Sequence, residues 1–159
     1  MVQPVVKHAV RILETLFVLI ALALVAAGAG LCLQVQGSSG CSANNWFSIG
    51  NWSEIENIGG QYFVFIASLF LLIATIAITV ISVLRQVGNK KVLCIFAIVG
   101  AVVCLINGCV EAWYTAGRLT IITTMVTAYV QSWAAAAAFY FLSTALYVAD
   151  AFLTHKSGP

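Results

Sequence analysis

Charged residues are scarce in this sequence. Of its 159 residues, only 8% are Asp, Glu, Lys or Arg, whereas 62% are hydrophobic. A soluble globular domain carries about 25% charged residues, and no soluble core could hold this much apolar surface. The shortage of charge therefore predicts an integral membrane protein. The net charge of +2 is too small to predict a nucleic-acid partner.

The residue types that carry catalytic or metal chemistry are also few. The sequence has two histidines, His8 and His155. It contains no G-x-S-x-G, Walker or H-E-x-x-H pattern, and no C-x-x-C pair of the thioredoxin kind. We therefore predict that the protein is not an enzyme and has no cofactor and no metal site.

Long stretches without charge predict the membrane spans. No charged residue occurs in residues 15–53, 57–84, 92–110 or 119–149. A spanning helix needs about 20 mostly apolar residues. We therefore predict an all-α membrane protein in which residues 1–159 form one domain, an antiparallel four-helix transmembrane bundle. The predicted helices lie at about 12–35, 61–84, 92–114 and 129–153, with a short loop or interfacial segment at 121–125.

The distribution of Lys and Arg predicts the orientation. Of the seven, Arg118 is on one side of the predicted membrane, and the other six are on the opposite side: Lys7, Arg11, Arg85, Lys90, Lys91 and Lys156. The positive-inside rule places the six in the cytoplasm, together with both termini. The segments near 36–60 and 115–128 are then outside. Asn51 begins an N-glycosylation sequon, and an unused sequon is the alternative.

Three acidic residues, Glu14, Glu111 and Asp150, lie in or beside the predicted spans. A charge deep in a bilayer is costly and marks a functional candidate. These three lie toward the span ends, where each can snorkel or pair, so we expect no proton or ion relay. Asp150 is near a helix C-terminus, where the helix dipole disfavours negative charge. We therefore predict a structural ion pair between Arg11 and Asp150.

Small residues on the third span predict close helix packing. Gly100, Cys104 and Gly108 recur every four residues and form one narrow stripe. Helices in lipid associate where small residues let their backbones approach. The sequence leaves open whether this helix-packing stripe contacts the chain's own helices or another copy, and we favour an internal contact.

The other cysteines suggest modification or crosslinking. Cys94 follows a basic loop, a setting typical of S-palmitoylation, although a small buried side chain fits the same position. Cys32, Cys41 and Cys109 lie toward the predicted outer side and permit a disulfide whose pairing stays open.

The last predicted span carries a family resemblance. Residues 132–156 read SWAAAAAFYFLSTALYVADAFLTHK. They resemble the fourth helix of MARVEL-domain proteins of the MAL, plasmolipin and chemokine-like-factor-like branch. That helix has an alanine-rich start, Phe-x-Phe, Leu-Tyr, an acidic or small residue, Phe and a terminal basic residue. Residues 11–25, RILETLFVLIALALV, are similar to the family's first helix, and the layout matches over the whole chain.

The resemblance implies a non-enzymatic role in membrane organisation, vesicle trafficking or membrane apposition and fusion, in the plasma membrane or in vesicles. The implied partners are membrane lipids, including cholesterol-rich membranes, and other membrane proteins or further copies of the chain. A claudin-like or other junctional four-helix protein is the alternative. A claudin's first outer loop needs a Gly-Leu-Trp and a cysteine pair, whereas this segment has Trp46, Trp52 and a single cysteine, Cys41.

Overall fold

A computed structural model describes residues 4–35, 59–85, 89–119 and 127–156. They form four helices: α1 (Pro4–Val35), α2 (Gly59–Arg85), α3 (Lys90–Leu119) and α4 (Thr127–Lys156). These residues contain no strand. Each helix includes a stretch that is long and apolar enough to cross a membrane: Val6–Ala26, Gly59–Ile81, Lys90–Ala116 and Ser132–Lys156. The predicted all-α fold with four long apolar helices is confirmed.

The four helices pack in a ring. Each contacts the next in the chain, and α4 returns to contact α1, with its most extensive packing against α3 and α1. Neighbouring helices run antiparallel, since the start of α1 meets the end of α4 at Arg11 and Asp150. The start of α2 likewise meets the end of α3 at Gln61 and Glu111.

The two ends of the bundle differ in composition. We call the end that contains the starts of α1 and α3 the basic end, because it carries Lys7, Lys90, Lys91 and Lys156. We call the opposite end the aromatic end, because the rings of Trp113, Tyr114 and Trp133 contact one another there. Buried residues and hydrogen bonds connect the two ends through the interior.

Two helix limits differ from the prediction. α1 begins at Pro4, about two turns before the expected start near residue 12, and α3 runs to Leu119 rather than ending near 114. The prediction was wrong at these limits because it took membrane-spanning stretches as whole helices, and α1 and α3 continue beyond such stretches. Proline is favoured in a first helical turn, and the charge of Arg11 is accommodated within α1 by Asp150. The loop predicted at 121–125 lies outside the described residues.

Candidate functional site

Buried polar residues recur every seven positions on the inward faces of two helices. None of these side chains is more than 2% exposed: Gln61, Ser68 and Thr75 on α2, and Tyr140, Tyr147 and Thr154 on α4. A seven-residue repeat spans about two helical turns and keeps one face toward its neighbours. Polar layers are therefore stacked within the otherwise apolar interior of the bundle. The seven-residue spacing of these polar residues is visible in the sequence, but the charge-free stretches do not reveal it.

The middle layer joins three helices. The Ser68 Oγ lies 2.6 Å from the Tyr140 hydroxyl, and Asn107 donates from its Nδ2 to the Ser68 Oγ over 2.9 Å. Among the described residues α2 and α4 are not neighbours in the ring, so Tyr140 reaches across the bundle. This layer therefore fastens α2, α3 and α4 together at mid-helix.

A second layer lies two turns nearer the basic end. The Tyr147 hydroxyl is 2.6 Å from Thr75 Oγ1. Thr75 donates its hydrogen to the Leu71 carbonyl over 2.7 Å, so Tyr147 is the donor to Thr75. Both tyrosine rings are fully buried. Together they fill the centre of the bundle between α4 and α2.

The small residues of α3 make room for rings from α4. A Cβ added at Gly100 would lie 2.8 Å from Tyr147 Cε1, and one at Gly108 would lie 2.9 Å from Phe141 Cε1. Cys104, between them, is fully buried. The structure thus turns the stripe of Gly100, Cys104 and Gly108 toward α4 of the same chain.

At the basic end, the structure brings Arg11 and Asp150 together. The Arg11 Nε and Nη2 lie 3.3 Å and 3.4 Å from Asp150 Oδ2, and the two side chains are only 4% exposed. Thr154 donates to Asp150 Oδ1 over 3.3 Å. Glu14 is also buried beside this pair. Its Oε1 has no hydrogen-bond partner.

Toward the aromatic end, Glu111 is in the interior rather than at the surface. It is 0% exposed, and its Oε2 accepts a hydrogen bond from Gln61 Nε2 over 3.1 Å. Of the two expected possibilities, snorkelling or pairing, Glu111 does not snorkel and is instead hydrogen-bonded to Gln61. The reason is its register on α3: it is one turn after the buried Asn107 and on the same inward face. The side-chain amide of Gln61, on α2, contacts Glu111 on this face.

The candidate modification sites have different surroundings. Cys94 is half-buried, and its Sγ lies 3.9 Å from the Ala151 carbonyl at the α3–α4 contact. Cys109 is a free thiol on the exposed face of α3. The glycosylation candidate Asn51 and the disulfide candidate Cys41 lie outside the described residues. Among the residues that are described, no group of three or more His, Cys, Asp or Glu side chains could hold a metal ion.

Polar side chains paired inside and large apolar side chains outside define an integral, multi-pass membrane protein. Exposed apolar residues include Phe70 and Ile95, at 69% and 61% exposure. Comparison of the sequence with protein-family models, with curated proteins and with solved structures finds no match. The resemblance to MARVEL-domain proteins therefore stays a prediction from the sequence.

Proposed function

We propose that this chain is a non-enzymatic, MARVEL-like protein that organises membranes during vesicle trafficking or membrane apposition and fusion. The observation that carries the proposal is the closed centre of the bundle. Tyr140 and Tyr147 fill the space between α4 and α2, and their hydroxyl groups are bonded to Ser68 and Thr75. A centre filled in this way favours action through the outer surface over passage of a substrate along the axis.

The contacts between α1 and α4 support the link to the MARVEL family. These two helices carry the residue-level resemblance, and they pack against each other. Two pairs of the residues that carry the resemblance are in contact. Arg11 forms an ion pair with Asp150. The rings of Phe17 and Phe139 pack edge to face, with their centroids 5.5 Å apart. Some of the residues that carry the resemblance therefore hold α1 and α4 together. This is consistent with the same four-helix bundle in this chain and in the family.

The outer surface suits a protein that works within lipid. Large apolar side chains are exposed along α2 and α3, among them Phe63, Phe70, Ile73, Ile95, Ile98 and Val102. Polar groups of the helices are instead turned inward, where they pair with one another. We therefore propose that the partners of this surface are membrane lipids, other membrane proteins or further copies of the chain.

Localisation in polarised epithelial cells tests the proposal. A fluorescently tagged chain should be found in vesicles and at the apical membrane, and depletion of the protein should slow delivery of an apical membrane reporter. Re-expression of the chain should restore delivery. Gly59→Ala is a suitable control for rescue, because a Cβ at Gly59 meets nothing within 4 Å.

Two outcomes would contradict this function. A continuous belt of signal at lateral cell contacts, with normal apical delivery after depletion, would favour the claudin-like junctional alternative. Transport of an ion or solute by the purified chain reconstituted in vesicles would favour a transporter and would remove the argument from the filled centre.

A further inference from the structure

Three buried acceptor oxygens near the aromatic end lack a hydrogen-bond donor. They are Glu111 Oε1, Gln61 Oε1 and Asn107 Oδ1, and each of the three residues is 0% exposed. Glu111 and Asn107 are one turn apart on α3, so their side chains lie on the same helix face. Gln61 is hydrogen-bonded to Glu111. The three side chains therefore meet in one interface, between α2 and α3.

The hydrogen bonds around this cluster do not reach the three oxygens. Gln61 donates from its amide to Glu111 Oε2, and Asn107 donates from its amide to Ser68. Ser68 shares a hydrogen bond with Tyr140. An ionised carboxylate accepts but cannot donate, so the unpaired oxygens cannot satisfy one another. Each amide group has two hydrogens and uses one in these bonds, yet none of the three oxygens accepts a hydrogen bond. A cation bound between the oxygens would satisfy them together.

No counter-charge is provided by the described side chains. Among them, the pair of Arg11 and Asp150 forms the salt bridge, and it lies toward the basic end. Glu14, the other buried glutamate, is beside that pair, whereas Glu111 has only the neutral amide of Gln61 as a bonded partner. A buried charge without a partner is costly inside a membrane. Glu14 lies near the guanidinium of Arg11, whereas no cationic side chain among the described residues lies beside Glu111.

We propose that Glu111, Gln61 and Asn107 form a binding site for a small monovalent cation, a proton or a sodium ion. A proton on Glu111 Oε1 would let the carboxyl donate to an unpaired amide oxygen. A sodium ion would instead be ligated by the carboxylate and the amide oxygens, the ligand type that hard cations prefer. Either cation neutralises Glu111 inside the bundle. The site goes beyond the membrane-organising role and does not depend on it.

The neighbouring titratable groups are phenols. Tyr114 is three residues further along α3, and Tyr140 faces the same region from α4. α2 contributes the neutral Gln61. Glu14 is a second buried carboxyl, near the basic end, and it can also titrate. The contribution of Glu111 is therefore the part of the pH dependence that Glu111→Gln removes.

Thermal unfolding of the purified full chain in mild detergent tests the site. A ligand that binds only the folded state raises the unfolding midpoint. For a sodium site, sodium chloride should raise the midpoint relative to choline chloride at equal ionic strength. For a proton site, lowering the pH should raise it, with no specific effect of sodium. In Glu111→Gln a sodium dependence should be lost and a pH dependence should be reduced, whereas Glu56→Gln, in the segment that joins α1 to α2, should retain both.

Labelling of the wild-type chain keeps the test decisive if Glu111→Gln does not fold. Dicyclohexylcarbodiimide adds to protonated carboxyl groups in apolar surroundings, and mass spectrometry of peptides locates the adduct. The proposal predicts an adduct on Glu111 that declines as the pH rises; with a sodium site, sodium chloride also protects Glu111 and choline chloride does not. Labelling of Glu111 that responds to neither pH nor sodium would overturn the proposal. So would identical pH and sodium dependence in folded wild type and Glu111→Gln.

Discussion

Single residues of α3 decide how closely α4 can approach. The ring of Tyr147 lies where a Cβ of residue 100 would be, and the ring of Phe141 lies where a Cβ of residue 108 would be. The absence of these two side chains lets the rings from α4 pack directly on the α3 backbone. In lipid, such close backbone approach is a main source of helix association. Each glycine therefore contributes to the packing of α3 against α4 because it leaves space for a ring of α4.

Replacing Gly100 with alanine should weaken the α3–α4 contact. Its Cβ would lie 2.8 Å from Tyr147 Cε1, and the ring has little room to move because its hydroxyl is bonded to Thr75. Overpacking of this kind costs about 1–3 kcal/mol, and the better helix propensity of alanine offsets up to about 1 kcal/mol. Unfolding of the purified chain by denaturing detergent should show the net loss.

The matched control for this substitution is Gly59→Ala. A Cβ at residue 59 meets nothing within 4 Å, so its stability should stay close to that of the wild type. Equal stability of Gly100→Ala and Gly59→Ala would show that the Tyr147 ring can shift freely and that the close contact does not restrain α4.

The residue pattern could predict part of this packing. The four-residue spacing of Gly100, Cys104 and Gly108 was sufficient to indicate a packing stripe. Its partners, Tyr147 and Phe141, could not be predicted, because they depend on the register of α3 against α4. The same limitation applies to Glu111. Its distance from the span end suggested a position near the membrane surface, whereas its helix face directs it inward.

At the scale of whole helices, α4 contacts all three other helices. It packs against both α1 and α3, and its two tyrosines reach across to α2. Near the basic end it is held to α1 by the ion pair of Arg11 and Asp150. The sequence predicted this pair from depth and from the helix dipole, whereas the links from α4 to α2 depend on side-chain direction across the bundle.

Breaking the pair of Arg11 and Asp150 should loosen the docking of α1 on α4. The two side chains are only 4% exposed, so removing one leaves a buried charge without its partner, at a cost of about 3–5 kcal/mol. Asp150→Asn and Arg11→Gln should each lower the yield of folded protein in mild detergent. The double variant should recover part of that loss, because it leaves neither charge behind.

A double-mutant cycle measures this coupling. Losses that simply add would show that Arg11 and Asp150 act independently. Asp150 would then be stabilised by another group, and Thr154, which donates to its Oδ1 over 3.3 Å, would be the next residue to replace.

At the scale of the whole molecule, the described helices bury polar side chains and expose large apolar ones. Hydrogen-bonded polar layers lie within an apolar interior, and large apolar side chains are exposed on the outer surface of the described helices. Composition was sufficient to predict a multi-pass membrane protein, since 62% of the residues are hydrophobic and 8% are charged. Composition could not reveal the layers, because they require knowledge of which face of each helix points inward.

Four helices of the chain are long and apolar enough to cross a membrane, and the distribution of Lys and Arg predicts that both termini are cytoplasmic. Cysteine accessibility tests this predicted topology most directly. Single probe cysteines are placed by Ser42→Cys, in the segment between α1 and α2, and by Ser157→Cys, after α4, in a chain whose five native cysteines are replaced. A membrane-impermeant maleimide applied to intact cells should label residue 42 and leave residue 157 unlabelled until the cells are permeabilised. Labelling of both positions in intact cells, or of residue 157 alone, would contradict the account.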